Sequence, residues 1–258
     1  MESAANRGKL HYGVPVLGLP DAIRACLFDL DGVLTPTALV HAAAWKEMFD
    51  AFLKEYQGPD YPPFDRKADY ERYVDGRPRA DGTRTFLASR GITLPEGSPD
   101  DPPDRHTVEG LSKRKDAIFQ RVLAREGVKP YPGSVRYLEA CRDAGLRRAV
   151  VSSSKHCEEI VRAAGIEDLL EITVDGNVRE REKLRGKPAP DTFLRAAELL
   201  GVPREQATVF EDALAGVEAG RAGDFGCVVG VNRSGQADAL REHGAKVVVN
   251  DLAELLES

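Results

Sequence analysis

Four times in its second half the chain repeats one arrangement, a short apolar run followed by a helical pattern. The pairs are "RRAVVS" and "CEEIVRAAG", "ATVFED" and "ALAGVEAGRAG", "FGCVVGVN" and "QADALREHG", "AKVVVN" and "LAELLE". Strands that alternate with helices form a parallel sheet buried on both faces, so the expected class is α/β with a doubly wound sheet. A fifth run of the same kind, "IRACLFDL", stands far upstream, separated from the others by residues 37–130. That stretch reads mostly as amphipathic helix, as in "ALVHAAAWKEMFDAFLKEY" and "LSKRKDAIFQRVLAREG". Its breaker-rich segments "QGPDYPPFD" and "LPEGSPDDPPDRH" read as surface loops. It is therefore an α-helical insertion after the first strand, ending near Pro36 and at "KPYPG", Lys129 to Gly133. The division expected is a tail at 1–21, a core of 22–36 plus 131–258, and an inserted helical domain at 37–130.

Composition narrows the partners. With 258 residues and 42% hydrophobic content the chain can bury a large core. Its 36 basic and 42 acidic residues are interspersed and sum to −6, which leaves no cationic stripe for nucleic acid or anionic lipid. Cys26, Cys141, Cys157 and Cys227 are scattered without a C-x-x-C pair, which suits reduced thiols rather than a disulfide framework or a zinc site. The opening "MESAANRGKLHYGVPVLGLPDAI" is broken by Gly13, Pro15, Gly18 and Pro20, and no later apolar run approaches membrane-spanning length. A cytoplasmic location and a loosely ordered tail are expected.

In an open parallel sheet, ligands bind beyond the carboxyl ends of the strands. Four polar clusters fall there: Asp29 and Asp31 in "CLFDLDGVLT", Ser152 to Ser154, Lys187 in "GKPAPDTF", and Glu211 with Asp212. Singly, each has an ordinary explanation in turn, capping or surface chemistry. Together they suit phosphoryl transfer. Asp29 and Asp212 can hold Mg2+, while Ser152 with the N–H groups after it and Lys187 can bind phosphate oxygens. One carboxylate can attack phosphorus, and a second, two residues on, can protonate the leaving oxygen. A calcium loop starting at Asp29 is excluded by Val33, Leu34 and Val40 at positions that require an oxygen ligand, a glycine and a glutamate.

"DLDGV", a strand ending in Ser152, "GKPAP" and "FEDALAGVEAG" together resemble the haloacid dehalogenase superfamily of phosphotransferases in order and spacing. The resemblance implies a Rossmann-like core with an inserted α-helical cap domain that closes over the cleft. It makes Asp29 the nucleophile and Asp31 the general acid/base, which also lends a backbone carbonyl to the metal. Mg2+ would be held by Asp29, Asp31, Glu211 and Asp212. Within the superfamily the pattern is most similar to the β-phosphoglucomutase family, whose first motif continues through a Thr, a His and a Trp, here Thr37, His41 and Trp45. Thr37 and His41 would then assist the acid/base. Trp45 reads equally as a cap-packing aromatic. Ser152 and Ser153 would hold the transferring phosphate with Lys187, and Ser154 and Lys155 a second one. Gly76 and Arg79 in "VDGRPRADG" match a glycine and an arginine that grip the non-reacting phosphate, although Arg77 stands close and the segment also reads as a solvated basic loop. Lys115 in "SKRK" matches a lysine on the sugar side, and an exposed helix face explains it equally well.

Three positions depart from the family pattern: His156 stands for an Asn, Ala213 for a common Ser, and Pro36 for an acid. The resemblance implies Mg2+-dependent interconversion of β-glucose 1-phosphate and glucose 6-phosphate, with glucose 1,6-bisphosphate as intermediate and activator. The partner is a small sugar phosphate, and the chain is expected as a monomer or weak dimer. A sugar-phosphate phosphatase on the same fold is the nearest rival. A non-catalytic sugar-phosphate binder would be expected to have lost Asp29 or Asp31.

Overall fold

The computed structural model describes residues 17–256, so residues 1–16 of the expected tail lie outside the described residues. The end of that tail is packed: Leu17 is buried, and its carbonyl accepts a hydrogen bond from the Tyr137 hydroxyl at 2.9 Å.

Strand β1 (Ala25–Phe28) is followed by three long helices, α1 (Thr37–Gln57), α2 (Arg79–Ser89) and α3 (Val108–Glu126). The chain then returns through α4 (Pro132–Asp143) to β2 (Arg147–Val151). Next come α5 (Cys157–Ala163), β3 (Ile172–Val174), α6 (Gly176–Arg181), α7 (Asp191–Leu200) and β4 (Ala207–Glu211). The chain ends with α8 (Leu214–Ala222), β5 (Cys227–Val231), α9 (Ala237–His243) and β6 (Val247–Val249). The six strands form one parallel sheet in the order β3-β2-β1-β4-β5-β6. Five strands match the apolar runs of the sequence. The sixth, β3, has three residues with Thr173 at its centre, between Glu171 and Asp175, and so does not stand out as an apolar run as the all-valine β6 does. "LAELLE", read as a helix, forms a 3-10 turn at Leu252–Leu256.

Alternate residues of each strand enter different cores, as the two-residue period of a strand requires. Cys26, Phe28, Val150, Phe210 and Val229 face α4 and α5, whereas Leu27, Ala149, Val151 and Val209 face α7, α8 and α9. Phe28 stacks on Phe210 with ring centroids 4.5 Å apart, and Tyr137 closes on Phe28 edge-on at 6.2 Å. Such pairs add about 0.5–1.5 kcal/mol beyond their buried area. The first core continues into the inserted segment through Leu30, Val33 and Leu34 to Trp45, Met48 and Phe49.

Within that segment α1 packs along α3 and α2 lies beside α3. Thr107 caps α3, its hydroxyl oxygen accepting from Gly110 N at 3.0 Å. A π-helical turn at Tyr70–Val74 ends where Asp75 N donates to Tyr70 O at 3.0 Å. Such turns are rare and occur mostly at functional sites. All four cysteines are free and buried, and among the described residues no helix is long and apolar enough to cross a membrane.

Candidate active site

The carboxyl ends of β1, β2 and β4 bring the first group of side chains together. Asp29 follows β1 directly, and its N–H donates to Phe210 O on β4 at 2.9 Å. Behind it lies Lys187, whose ammonium is 2.5 Å from Asp29 Oδ1 and 3.2 Å from Val151 O, and also pairs with Glu211. All three side chains are buried. Burial alone would favour a neutral lysine, but the carboxylates of Asp29 and Glu211 hold its ammonium above the ordinary value. Burial pushes the Asp29 carboxyl well above the usual range; Lys187 opposes that shift, while Glu211 and Asp31 add to it.

Glycines let these acids approach. Gly32 has φ +87°, and a Cβ there would lie 1.7 Å from Asp212 Oδ2. A Cβ on Gly216 would lie 1.9 Å from the Glu211 carboxylate carbon. Asp29, Glu211 and Asp212 each offer an oxygen, all within 4.8 Å of one another. Burial, then Asp75, Asp29, Glu211 and Asp31, push the Asp212 carboxyl well above its ordinary range. A set of hard oxygen donors that repel each other in this way fits a divalent cation such as Mg2+.

Asp31 turns to a different network. Thr37 Oγ1 donates to its Oδ1, His41 Nε2 is 3.4 Å from the same oxygen, and Ser152 Oγ lies 3.5 Å from Oδ2. Burial pushes its carboxyl up, but His41, Thr37 and Lys115 outweigh this and bring it to about 2. On the other side of the ring, Lys115 Nζ stands 2.5 Å from His41 Nδ1. Burial and Arg79 push the Lys115 ammonium well below its ordinary value, against Asp116 and Asp31; while protonated it can only donate, so Nδ1 accepts and the proton of a neutral ring sits on Nε2, toward Asp31. Burial and Lys115 accordingly lower His41 to about 4. The ring stacks on Phe119 with centroids 4.0 Å apart. Lys115 is buried, not on an exposed helix face, and lies over the Trp45 and Phe119 rings at 5.2 and 4.8 Å.

A cavity of about 320 Å3 opens between this edge and the inserted helices. Of the side chains singled out in the sequence, Asp29, Asp31, His41, Trp45, Arg79 and Lys115 line it. Gly76, Ser153, Ser154, Lys155 and Asp212 line it too. Trp45 does so while stacking on Phe49 at 5.1 Å, so packing and lining coincide. Thr37, Ser152 and Lys187 are buried and bond Asp31 or Asp29, and Glu211 is buried and pairs with Lys187; none of the four lines the cavity. Arg79 is the first residue of α2, not part of a loop, and its guanidinium is 2.5 Å from Asp116 Oδ1. Burial lowers it and Asp116 opposes the shift. Ser153 donates to Gly76 O at 2.8 Å, which ties the inserted segment to the sheet edge. Lys155 is half-exposed and paired with Glu180.

The sequence reading missed Asp75, Tyr70 and Arg179 on the cavity wall. Asp75 bonds the Tyr70 side chain, and burial with Glu211 raises its carboxyl to about 7. The available signals were weak: Asp75 precedes Gly76 as in any D-G turn, and Arg179 follows the unrecognised strand β3.

The family model of haloacid dehalogenase-like hydrolases matches residues 23–224. The chain is 56% identical over 247 residues to a β-phosphoglucomutase of Mycobacterium tuberculosis (strain CDC 1551 / Oshkosh), covering 93% of this chain and 94% of that one. It is 30% identical to the β-phosphoglucomutase of Bacillus subtilis (strain 168), covering 90% and 92%. The crystal structure of a hydrolase from Pseudomonas syringae superposes with a TM-score of 0.72 at 25% identity, over 90% of this chain and 96% of that one. Matched over most of its length by the family model and by these relatives, the chain belongs to the haloacid dehalogenase-like hydrolase family and is a homologue of the β-phosphoglucomutases.

Proposed function

We propose that the protein is a β-phosphoglucomutase that interconverts β-glucose 1-phosphate and glucose 6-phosphate through a phosphorylated Asp29 and a glucose 1,6-bisphosphate intermediate. The observation that carries this reading is that one cavity is lined both by Asp29 and Asp31 and by Arg79, Lys115, Ser154 and Lys155. A bisphosphate needs cations or N–H donors at both ends, and hydrolysis of one phosphate needs them only at the first. In this reading residues 37–130 are the cap, and residues 22–36 with 131–258 the catalytic core.

Asp29 is the nucleophile, held between the Lys187 ammonium and the exit of β1. Lys187 favours the ionised form of the buried Asp29 carboxyl, against the burial that raises it. Asp31 is ionised as found and so is in the form that accepts a proton from an attacking sugar hydroxyl. Thr37 and His41 fix its carboxylate, and Lys115 fixes the tautomer of His41. Ser152 and Ser153 with Lys187 serve the transferring phosphate; Gly76, Arg79, Ser154 and Lys155 serve the other. Asp29, Glu211 and Asp212, with the backbone carbonyl of Asp31, would hold Mg2+, which supplies positive charge to the oxygens of the transferring phosphoryl group.

The test supplies β-glucose 1-phosphate, Mg2+ and a trace of glucose 1,6-bisphosphate, and follows glucose 6-phosphate and free phosphate separately. Glucose 6-phosphate is expected as the main product. Stoichiometric free phosphate with little glucose 6-phosphate would replace the mutase with a phosphatase, and neither product would mark a non-catalytic binder.

A further inference from the structure

Where Arg79 lines the cavity, three side chains from three parts of the chain meet at one oxygen. Asp116 Oδ1, on α3, lies 2.5 Å from Arg79 Nη2 on α2 and 2.9 Å from His156 Nε2. His156 directly precedes α5 and so belongs to the sheet edge, whereas Arg79 and Asp116 belong to the inserted helices. Two cationic groups that converge in a partly buried place repel each other unless an anion sits between them. Asp116 is that anion, and when His156 is protonated the trio carries one net positive charge beside a cavity that Arg79 lines. An arginine side chain carries about 2 kcal/mol of rotamer entropy, so the orientation of an untied guanidinium would be poorly defined.

We propose that Asp116 is a positioning residue for the phosphate that is not being transferred. It aims Arg79 into the cavity and, through His156, completes that grip only when the inserted helices are seated on the sheet edge. The inference rests on the two-phosphate reading given above. His156 is the position where the related family pattern has Asn, and an amide there could not carry charge. The groups facing the imidazole are Asp116, Gln120 and Phe119 from α3, Arg79 from α2, and Glu159 from α5. The hydrogen bond from Asp116 raises the imidazole above its ordinary value, against burial and Arg79. A histidine raised by its partner tethers most firmly when protonated, and the tether weakens as pH rises through that raised value.

The experiment is calorimetric titration of the full chain with glucose 1,6-bisphosphate and, separately, inorganic phosphate, between pH 7 and 9. Over this range both phosphates of the sugar are close to fully ionised, since the second phosphate pKa is about 6. Wild type, Asp116→Asn and His156→Asn are compared by the ratio of bisphosphate to phosphate affinity, which cancels effects at the Asp29 end. Asp116→Asn is expected to lower that ratio about tenfold, the size of one charge-assisted hydrogen bond. The wild-type ratio is expected to fall with rising pH, and that of His156→Asn to stay flatter. An unchanged ratio in Asp116→Asn, parallel losses of both affinities, or equal pH slopes in wild type and His156→Asn would overturn the proposal. Absence of glucose 6-phosphate in the turnover assay would sink the mutase reading separately, while the affinity ratio still decides the role of Asp116. A wild type that does not bind the bisphosphate would overturn both.

Discussion

Gly32→Ala separates backbone strain from the need to let Asp212 approach. At φ +87° an alanine costs about 1–2 kcal/mol, because its Cβ crowds the neighbouring carbonyl. That strain alone would lower the melting temperature by roughly 2–8 °C in a domain of this size. The added methyl does more, for it would stand 1.7 Å from Asp212 Oδ2, where real Cβ contacts essentially never fall below 3.0 Å. The Asp212 carboxylate must therefore move by more than an ångström, away from the oxygens of Asp29 and Glu211. Displacements of this size in an active site cost on the order of 100-fold in rate. Gly91→Ala supplies the control: its φ is +70°, and nothing lies within 4 Å of the new Cβ. Both variants are to be compared by thermal unfolding and by Mg2+-dependent formation of glucose 6-phosphate. The expectation is a similar loss of stability and a catalytic defect in Gly32→Ala alone. If the two variants matched in both measurements, the argument from steric approach would be refuted.

Further outcomes follow from other parts of the site. Lys187→Met leaves Asp29 and Glu211 buried without their ammonium and should cost about 3–5 kcal/mol at pH 8 by denaturant unfolding. Without Lys187 the folded-state value of Asp29 rises further above its unfolded one, so the folded state binds the extra proton and is penalised as pH rises above about 4. The stability gap to wild type should then shrink between pH 8 and pH 5, and a gap independent of pH would contradict the pairing. By NMR titration the His41 ring should stay neutral down to about pH 4, whereas His156 should titrate above its ordinary value; His41 titrating near 6.5 would remove the Lys115–His41–Asp31 arrangement. Thr107→Ala removes the cap of α3 and should cost about 0.5–2 kcal/mol in urea unfolding, and no loss would show that the Gly110 N–H finds another partner.

The acids at the sheet edge were legible in the sequence because the strand itself places them. "CLFDLDGV" ends an apolar run, and a parallel strand leaves its next residues at the edge where ligands bind. Glu211 and Asp212 were legible for the same reason at the end of β4, whereas Lys187 lies in the loop before α7 and was legible through "GKPAP". The pattern of types could not show how these groups divide the work of approach. Gly32 reads as freedom for the chain to turn, yet its missing Cβ is also the space that Asp212 occupies. The inserted segment was harder to read because its side chains are selected by helix register rather than by strand exit. Lys115 lies on a polar-looking turn of α3, and only the packing of α3 against α1 buries it against His41 and Trp45. Asp75 reaches the cavity through a π-helical turn whose extra residue per turn no apolar periodicity announces.

The same distinction explains why His156 looked like a simple departure from a pattern. Its partner Asp116 stands 40 residues away and belongs to another element. In sequence the Asn-to-His change looks like the loss of a polar ligand; in three dimensions it gives Asp116 of α3 a titratable partner at the start of α5, beside Glu159 of α5 itself. Protonation strengthens the bond from this ring to Asp116 of the inserted helices, a gain that a neutral amide at the same place could not supply.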